Sequence, residues 1–291
     1  MRSEKEIYKI ILDFAESEER IRVVTLEGSR TNTNIVPDEF QDYDITFFVT
    51  DLQSFTEDDA WLAVFGERRI MQKPEDMELF LPEEKGFSYL MLFQDDVKID
   101  LTLLPLSLLE EYFTWDKLVK VLMDKDRRIL QPPLPTDVDY HLKCPTGRMF
   151  DDCCNEFWNT VPYVVKGLCR REILFSIDHL NEIVRRELLR MVSWKVGVEE
   201  GFCFSLGKNY KFLERHIPEE LWKRILATFQ MDSYDKMWKA LKECMALFRE
   251  VSAQVSEQLS YPYPSYDKQI SDYVARQEKK YFGDGDCKSR D

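Results

Sequence analysis

The sequence predicts an α+β protein in which a mixed β-sheet unit is followed by a bundle of helices. Alternating apolar and polar residues, which are typical of half-buried strands, occur only in the first part of the chain. From residue 148 to about residue 259, nearly every segment instead has apolar residues at helical spacing. A proline-rich stretch at 131–146 separates the two patterns, so we predict domains at residues 1–135 and 136–291.

Composition and charge limit the possible partners. The net charge of −14 argues against a nucleic-acid partner, because binding a phosphate backbone requires clustered Lys and Arg. No run approaches eighteen consecutive apolar residues, so no membrane-spanning helix is expected. The seven cysteines lack the spacing of a disulfide framework, and we therefore expect reduced thiols in a cytoplasmic protein.

The N-terminal unit combines short strands with a few helices. Ser3 and Glu6 form a capping-box pattern at the start of a helix over residues 3–15. Further helices are predicted over residues 56–65 and 107–124. The predicted strands cover residues 21–27, 42–50, 70–72, 87–93 and 97–104.

The C-terminal unit is predicted to be helical throughout, with a loop at residues 261–266. We expect the last eight or so residues to form a flexible tail. The predicted helices cover residues 148–168, 170–199, 208–216, 218–228 and 233–259.

Two acids stand out on the strand over residues 42–50. Asp42 and Asp44 share the polar face of this strand, about 7 Å apart, where two carboxylates can hold a divalent metal. A Gly28-Ser29 turn precedes them and offers backbone N–H groups and a hydroxyl to phosphate oxygens. The alternative interpretation is an exposed sheet face with ordinary acids, although acids are disfavoured in strands.

A third acid, Asp100, lies on the polar face of the strand over residues 97–104. Hard carboxylate oxygens fit Mg²⁺, and the lack of a His/Cys cluster disfavours zinc. Phosphoryl-type transfer needs positioning and charge neutralisation by such an ion. The residues alone therefore indicate metal-dependent nucleotidyl transfer, with a surface acid as the alternative for Asp100.

Gly28-Ser29, followed thirteen residues later by Asp42-Tyr43-Asp44, resembles the signature of the DNA polymerase β-like nucleotidyltransferases. More narrowly, the chain up to about residue 215 resembles the aminoglycoside 6-adenylyltransferases, which modify streptomycin. The blocks that carry this resemblance are TLEGSRTN, FQDYDI, MQKPEDMELF, KIDLTL, DDCCNEFW, IDHLNEIVR and GKNYKF.

The resemblance implies an N-terminal nucleotidyltransferase domain that transfers AMP from ATP to the 6-hydroxyl of streptomycin. Asp42, Asp44 and Asp100 would then hold Mg²⁺, with two ions expected. Gly28 and Ser29 would contact the phosphates. Lys208, which follows Gly207 in the GKNYKF block, would contact the triphosphate from the helical domain, and a solvated lysine is the alternative.

Asp178 and Glu182 are candidates for substrate binding. They are four residues apart on the helix predicted over residues 170–199 and so share one face of it. Carboxylates there could receive a polycationic substrate. The alternative is a salt-bridged helix surface, because Arg185 and Arg186 follow Glu182 at three and four residues.

Two other functions remain open at this point. One is a nucleotidyltransferase that acts on a protein or RNA acceptor. The acidic net charge argues against the RNA acceptor. The other is a catalytically inactive nucleotide-binding module. The presence of all three acids, Asp42, Asp44 and Asp100, argues against it.

Overall fold

The computed structural model describes residues 1–79 and 85–282 and shows the α+β class that the sequence predicts. The chain divides into two compact units, Met1–Asp139 and Tyr140–Asp291. The observed division follows residue 139, whereas the sequence placed it after residue 135. Both positions lie in the proline-rich stretch.

A six-stranded mixed sheet forms the centre of the first unit, with the strand order β3-β4-β5-β2-β1-β6. β2 and β5 pair in parallel, and the other neighbouring strands pair antiparallel. The strands are β1 (Ile21–Glu27), β2 (Tyr43–Val49), β3 (Arg68–Gln72), β4 (Phe87–Phe93), β5 (Lys98–Pro105) and β6 (Val119–Asp124).

One face of this sheet packs against the N-terminal helix α1 (Glu4–Ser17). The helix begins with the predicted capping box, in which Glu6 N–H donates to Ser3 Oγ and Ser3 N–H donates to Glu6 Oε2. Burying an aliphatic side chain contributes about 1.5–3 kcal/mol. The shared core includes Ile7, Ile11 and Ala15 from the helix and Tyr43, Ile45, Phe47 and Val49 from β2. These four β2 residues confirm the predicted apolar face and leave the acids on the opposite face.

The helix predicted over residues 107–124 is wrong. Only a short helix, α3 (Leu109–Tyr112), forms before the chain turns into the edge strand β6. Asp116 Oδ1 accepts a hydrogen bond from Leu118 N–H at 2.8 Å, and this local turn diverts the backbone from a helical path. Val119 and Val121 then pair with β1, because β-branched residues suit a pleated surface.

The helix predicted over residues 56–65 is also mostly wrong. The chain forms the one-turn helix α2 (Gln53–Thr56) and then a 3₁₀ helix at Ala60–Phe65. Trp61 Nε1 donates to the carbonyl of Phe55 at 3.0 Å and ties the two turns together. Phe55 and Phe65 are buried in the core under the sheet.

Six helices surround the core of the second unit within its described residues. Phe157 and Phe248 stack at the centre of this core, with ring centroids 3.7 Å apart. The helices are α4 (Gly147–Arg170), α5 (Ile173–His179), α6 (Arg185–Glu200), α7 (Glu219–Ala227), α8 (Tyr234–Leu259) and α9 (Tyr266–Phe282).

The predicted helix over residues 170–199 is not continuous. Arg171 adopts a left-handed conformation with φ +64° and ends α4, so that α5 begins a new helix. A π-helical turn at Leu180–Val184 then joins α5 to α6. Such a turn lengthens the hydrogen-bonded loop by one residue and changes which side chains share a face.

Two other predictions for the second unit also need correction. Residues 208–216 form two short 3₁₀ turns, Lys208–Tyr210 and Leu213–His216, rather than a helix. Asn209 and Tyr210 have positive φ angles, which a continuous helix excludes. α9 has no counterpart among the predicted helices, and the predicted flexible tail lies outside the described residues. Across residues 1–79 and 85–282, no helix is long and apolar enough to cross a membrane.

The close contact of α4 with α5 gives a stability prediction. A methyl group on Gly167 would lie 3.2 Å from the carbonyl oxygen of Glu172 and still closer to Ser176 Oγ. Gly167→Ala should therefore lower the free energy of unfolding by about 1–3 kcal/mol, measured by urea unfolding. Gly147→Ala in the same helix is the control, because its methyl would touch only the Tyr261 ring at 3.4 Å. Equal stabilities of the two variants would contradict this account.

Candidate functional site

Three carboxylates lie in a row across the polar face of the sheet. Asp44 on β2 is the direct cross-strand partner of Glu27 on β1 and of Asp100 on β5. Neighbouring strands are about 4.8 Å apart, and side chains at paired positions point to the same face. The parallel pairing of β2 with β5 therefore brings together two predicted site residues that are far apart in the sequence.

Asp42 joins this row through a lysine. It precedes β2 directly, and its Oδ2 lies 2.9 Å from Lys98 Nζ. The same ammonium lies 2.6 Å from Asp100 Oδ2. Lys98 is two residues before Asp100 on β5 and so emerges on the same face of the sheet. The three predicted acids thus share one site, with a lysine between two of them.

Holding these carboxylates close together costs free energy. Burial raises the pKa of Asp44 to about 6, and the negative charges of Asp100, Asp42 and Glu27 add to this shift. Lys98 opposes it only in part. Asp100 Oδ1 is buried and accepts no hydrogen bond from the described residues. An unpaired buried carboxylate oxygen is expensive, so the site favours a cation.

The donor set suits a hard divalent ion such as Mg²⁺, because it consists of carboxylate oxygens. Asp42, Asp44 and Asp100 are the residues that could hold it. In the described part of the chain, however, no three His, Cys, Asp or Glu side chains are already arranged around a metal position. Lys98 contacts two of the three acids instead.

The Gly28–Thr31 turn follows β1 beside these acids, as predicted. Gly28 has a φ of +67°, and a Cβ at this position would lie 2.6 Å from Asp44 Oδ2. Only glycine allows the backbone to come so close to the carboxylate. Its N–H donates to the carbonyl of Leu118 at 3.0 Å, so this amide is not available to a phosphate. Ser29 Oγ makes no hydrogen bond within the described residues.

Arg30 holds the turn against the loop that carries Asp42. Its guanidinium donates to the carbonyl of Asp42 at 2.9 Å and to that of Gln41 at 2.8 Å. It also lies over the Tyr43 ring, 3.7 Å from the centroid. Arg30 is not among the predicted site residues, although it follows Gly28-Ser29 directly in the block TLEGSRTN.

Glu27 was also missed. Its Oε1 accepts hydrogen bonds from the hydroxyls of Thr46, Thr25 and Tyr112, the last at 2.5 Å. Burial raises the pKa of Glu27, and these hydroxyls oppose the shift. An acid at the end of a mainly apolar strand, directly before Gly28, was the signal that could have identified it.

The remaining predicted site residues belong to the second unit. Lys208 is exposed in a 3₁₀ turn after Gly207 and makes no ion pair with the described residues. Asp178 on α5 and Glu182 in the π-helical turn are both exposed. Asp178 Oδ2 lies 3.8 Å from His179 Nδ1.

Neither Arg185 nor Arg186 pairs with Asp178 or Glu182 within the described residues, so the structure shows no salt bridges of the kind that the alternative expects. Arg185 is buried, donates to Thr228 Oγ1 at 3.0 Å and lies over the Phe229 ring. Arg186 is exposed and forms no ion pair with either acid. The two carboxylates are therefore free of arginine partners within the described residues.

Known proteins resemble this chain over nearly its whole length. The sequence profile of the family described as streptomycin adenylyltransferase matches residues 1–277. An aminoglycoside 6-adenylyltransferase of Campylobacter jejuni is 70% identical over 288 residues, which cover 99% of this chain and 100% of the relative. One of Bacillus subtilis (strain 168) is 58% identical over 276 residues, covering 94% and 97% of the two chains.

A crystal structure of an aminoglycoside 6-adenyltransferase from Bacillus subtilis aligns with a TM-score of 0.48 at 51% identity. The alignment covers 95% of this chain and 99% of the solved chain. The family match includes the acids on β2 and β5, the Gly28-Ser29 turn and most of the helical unit. The chain therefore belongs to the streptomycin adenylyltransferase family of enzymes.

Proposed function

We propose that the protein transfers AMP from ATP to the 6-hydroxyl of streptomycin and releases pyrophosphate. The observation that carries this proposal is the group of Asp42, Asp44 and Asp100 beside the Gly28-Ser29 turn. Relatives named aminoglycoside 6-adenylyltransferases support the acceptor class. The net charge of −14 suits a cationic substrate rather than a nucleic acid, and we place the reaction in the cytoplasm.

Asp42, Asp44 and Asp100 would hold Mg²⁺, with two ions expected. When bound, the metal neutralises charge that develops on the transferring phosphoryl group. The unsatisfied Asp100 Oδ1 and the raised pKa of Asp44 support this assignment, because both features are relieved by a nearby cation.

Asp100 has a second role in this proposal, as the general base. The 6-hydroxyl oxygen forms a bond to the α-phosphorus of ATP, the bond from that phosphorus to pyrophosphate breaks, and Asp100 takes the hydroxyl proton. Its Oδ1 is the oxygen that Lys98 leaves free. A general base of this kind typically contributes about 10²–10⁴ in rate.

Ser29 and Lys208 are the candidates for contacts with the triphosphate. Gly28 lets the backbone approach the acids closely, and Ser29 Oγ is free to donate to a phosphate oxygen. The exposed ammonium of Lys208 is available for a second, charge-assisted contact.

Asp178 and Glu182 would bind the antibiotic. Streptomycin carries two guanidinium groups and an amine, and guanidinium pairs with carboxylate through two parallel hydrogen bonds. Both acids are exposed and free of arginine partners within the described residues. They can therefore receive a cation without first breaking an ion pair with arginine.

Mass spectrometry of streptomycin after incubation with enzyme, ATP and Mg²⁺ tests this function directly. We expect the mass of one added adenylyl group and release of pyrophosphate. A panel with other aminoglycosides, RNA and protein acceptors defines the acceptor. Pyrophosphate release with only RNA or protein would contradict the proposal, as would a protein that binds ATP without turnover.

Replacing the metal-binding acids should remove activity without unfolding the protein. Asp42→Asn or Asp44→Asn should lower kcat at least about a hundredfold, because charge neutralisation carries much of phosphoryl-type catalysis. Asp13→Asn is the matched control, since Asp13 is an exposed acid on α1. Circular dichroism checks the fold. Wild-type turnover of either variant at limiting Mg²⁺ would refute the metal assignment.

The same substitution at Asp44 should stabilise the fold in a pH-dependent way. Burial and the charges of Asp100, Asp42 and Glu27, opposed by Lys98, raise its pKa to about 6. The folded state therefore binds a proton more tightly than the unfolded state, and ionisation destabilises it as pH rises from about 4 to 6. Without added metal, Asp44→Asn should be more stable than wild type by about 1–3 kcal/mol at pH 7.5. Below about pH 4 this difference should vanish, as measured by thermal unfolding across pH.

Neutralising the candidate substrate acids should weaken streptomycin binding selectively. The double variant Asp178→Asn, Glu182→Gln should raise the streptomycin KM about tenfold and leave the ATP KM nearly unchanged. The control is Asp232→Asn with Glu219→Gln, which removes two other exposed acids of the same unit. An unchanged streptomycin KM in the first variant would place the substrate site elsewhere.

A further inference from the structure

Lys98 provides the only ammonium or guanidinium contact to the three aspartate side chains among the described residues. Its Nζ lies 2.9 Å from Asp42 Oδ2 and 2.6 Å from Asp100 Oδ2. Arg30, the other nearby cation, donates to the backbone carbonyl of Asp42 and not to its carboxylate. The balance of charge in the site therefore depends on a single side chain.

One ammonium cannot satisfy this site. Lys98 contacts one oxygen each of Asp42 and Asp100, while Asp100 Oδ1 remains buried without a hydrogen bond. No described residue donates to the carboxylate of Asp44. The three aspartates carry three negative charges and Lys98 carries one positive charge, so two negative charges have no counterion. A small divalent ion would neutralise these aspartates better.

The ammonium group of Lys98 is also able to move away from Asp42 and Asp100. Its side chain is 38% exposed, and a lysine stem with four methylene groups can swing its ammonium into water at little cost. The Lys98 contacts are partly screened ion pairs, each of which is weak by itself. A divalent cation can therefore displace the ammonium without disturbing β5.

We propose that Lys98 is a built-in counterion that competes with the divalent cation for Asp42 and Asp100 and leaves them when the cation binds. The inference rests on the metal site of the proposed function. Lys98 then has a role that neither the metal ligands nor the phosphate contacts supply. Its ammonium holds the acids together before the cation arrives and sets how tightly that cation binds.

Mn²⁺ binding to the full chain without nucleotide, measured by electron paramagnetic resonance, tests the competition. Lys98→Met should bind Mn²⁺ about threefold to tenfold more tightly than wild type, because the competing charge is gone. Lys120→Met is the matched control. It removes a lysine that is exposed on β6 and has no ion-pair partner in the described part of the chain. Equal or weaker Mn²⁺ binding by Lys98→Met would overturn the inference.

Two further variants separate competition from a structural effect. Lys98→Arg restores the positive charge and should return the Mn²⁺ affinity towards the wild-type value. Lys98→Gln removes the charge but keeps a polar side chain, so it replaces the methionine variant if that protein does not fold. Tighter Mn²⁺ binding by the arginine variant than by wild type would contradict a role based on charge.

Chemical labelling of the amine gives a second readout that does not depend on activity. With an amine-reactive reagent and mass spectrometry, Lys98 should react faster after Mg²⁺ is added, while Lys120 should react at an unchanged rate. An unchanged rate for Lys98 at saturating Mg²⁺ would show that the ammonium stays in place and would overturn the inference.

The two proposals fail in different ways. If wild type adenylylates streptomycin but Lys98→Met keeps the wild-type Mn²⁺ affinity, only the inference about Lys98 is wrong. If neither protein binds Mn²⁺ and no pyrophosphate is released, the metal site itself is wrong and both proposals are lost. Detectable binding only in Lys98→Met is the strongest form of the expected result.

Discussion

The parallel pairing of β2 with β5 in the register that sets Asp44 beside Asp100 is the constraint on which the candidate site depends. A slip of one residue would turn one of these carboxylates into the apolar core. The core prevents this slip, because Tyr43, Ile45 and Phe47 are buried on the opposite face of β2. Hydrophobic burial on one face therefore fixes the positions of charges on the other.

The acids make the fold less stable than it could be. Burial of the Asp44 carboxylate and the negative charges of Asp100, Asp42 and Glu27 raise the pKa of Asp44, because both effects disfavour its ionised form. Local hydrogen bonds limit this loss of stability. Arg30 fixes the loop before β2, and the hydroxyls of Thr46 and Tyr112 hold Glu27. Such strain is typical of sites that bind a charged ligand.

The helical unit is stabilised in another way. Its core is held by aromatic stacking, as between Phe157 and Phe248. The π-helical turn at Leu180–Val184 places Glu182 on the surface and Arg185 in the interior, where Thr228 accepts its hydrogen bond. A straight helix would have kept the regular spacing of these side chains. Exposed acids without arginine partners are the result.

The sequence by itself determined the class of the fold, the two faces of β2, the Gly28-Ser29 turn and the polar-face positions of Asp42, Asp44 and Asp100. These follow from local periodicity and turn chemistry, which neighbouring residues decide. The sequence did not determine β6, because a short apolar run suits a helix or a strand until a partner strand is known. The contacts of Lys98 with two acids, and the row that Glu27 completes, were decided only by the tertiary structure. Strand order and register join residues that are distant in the chain, and no local pattern specifies them.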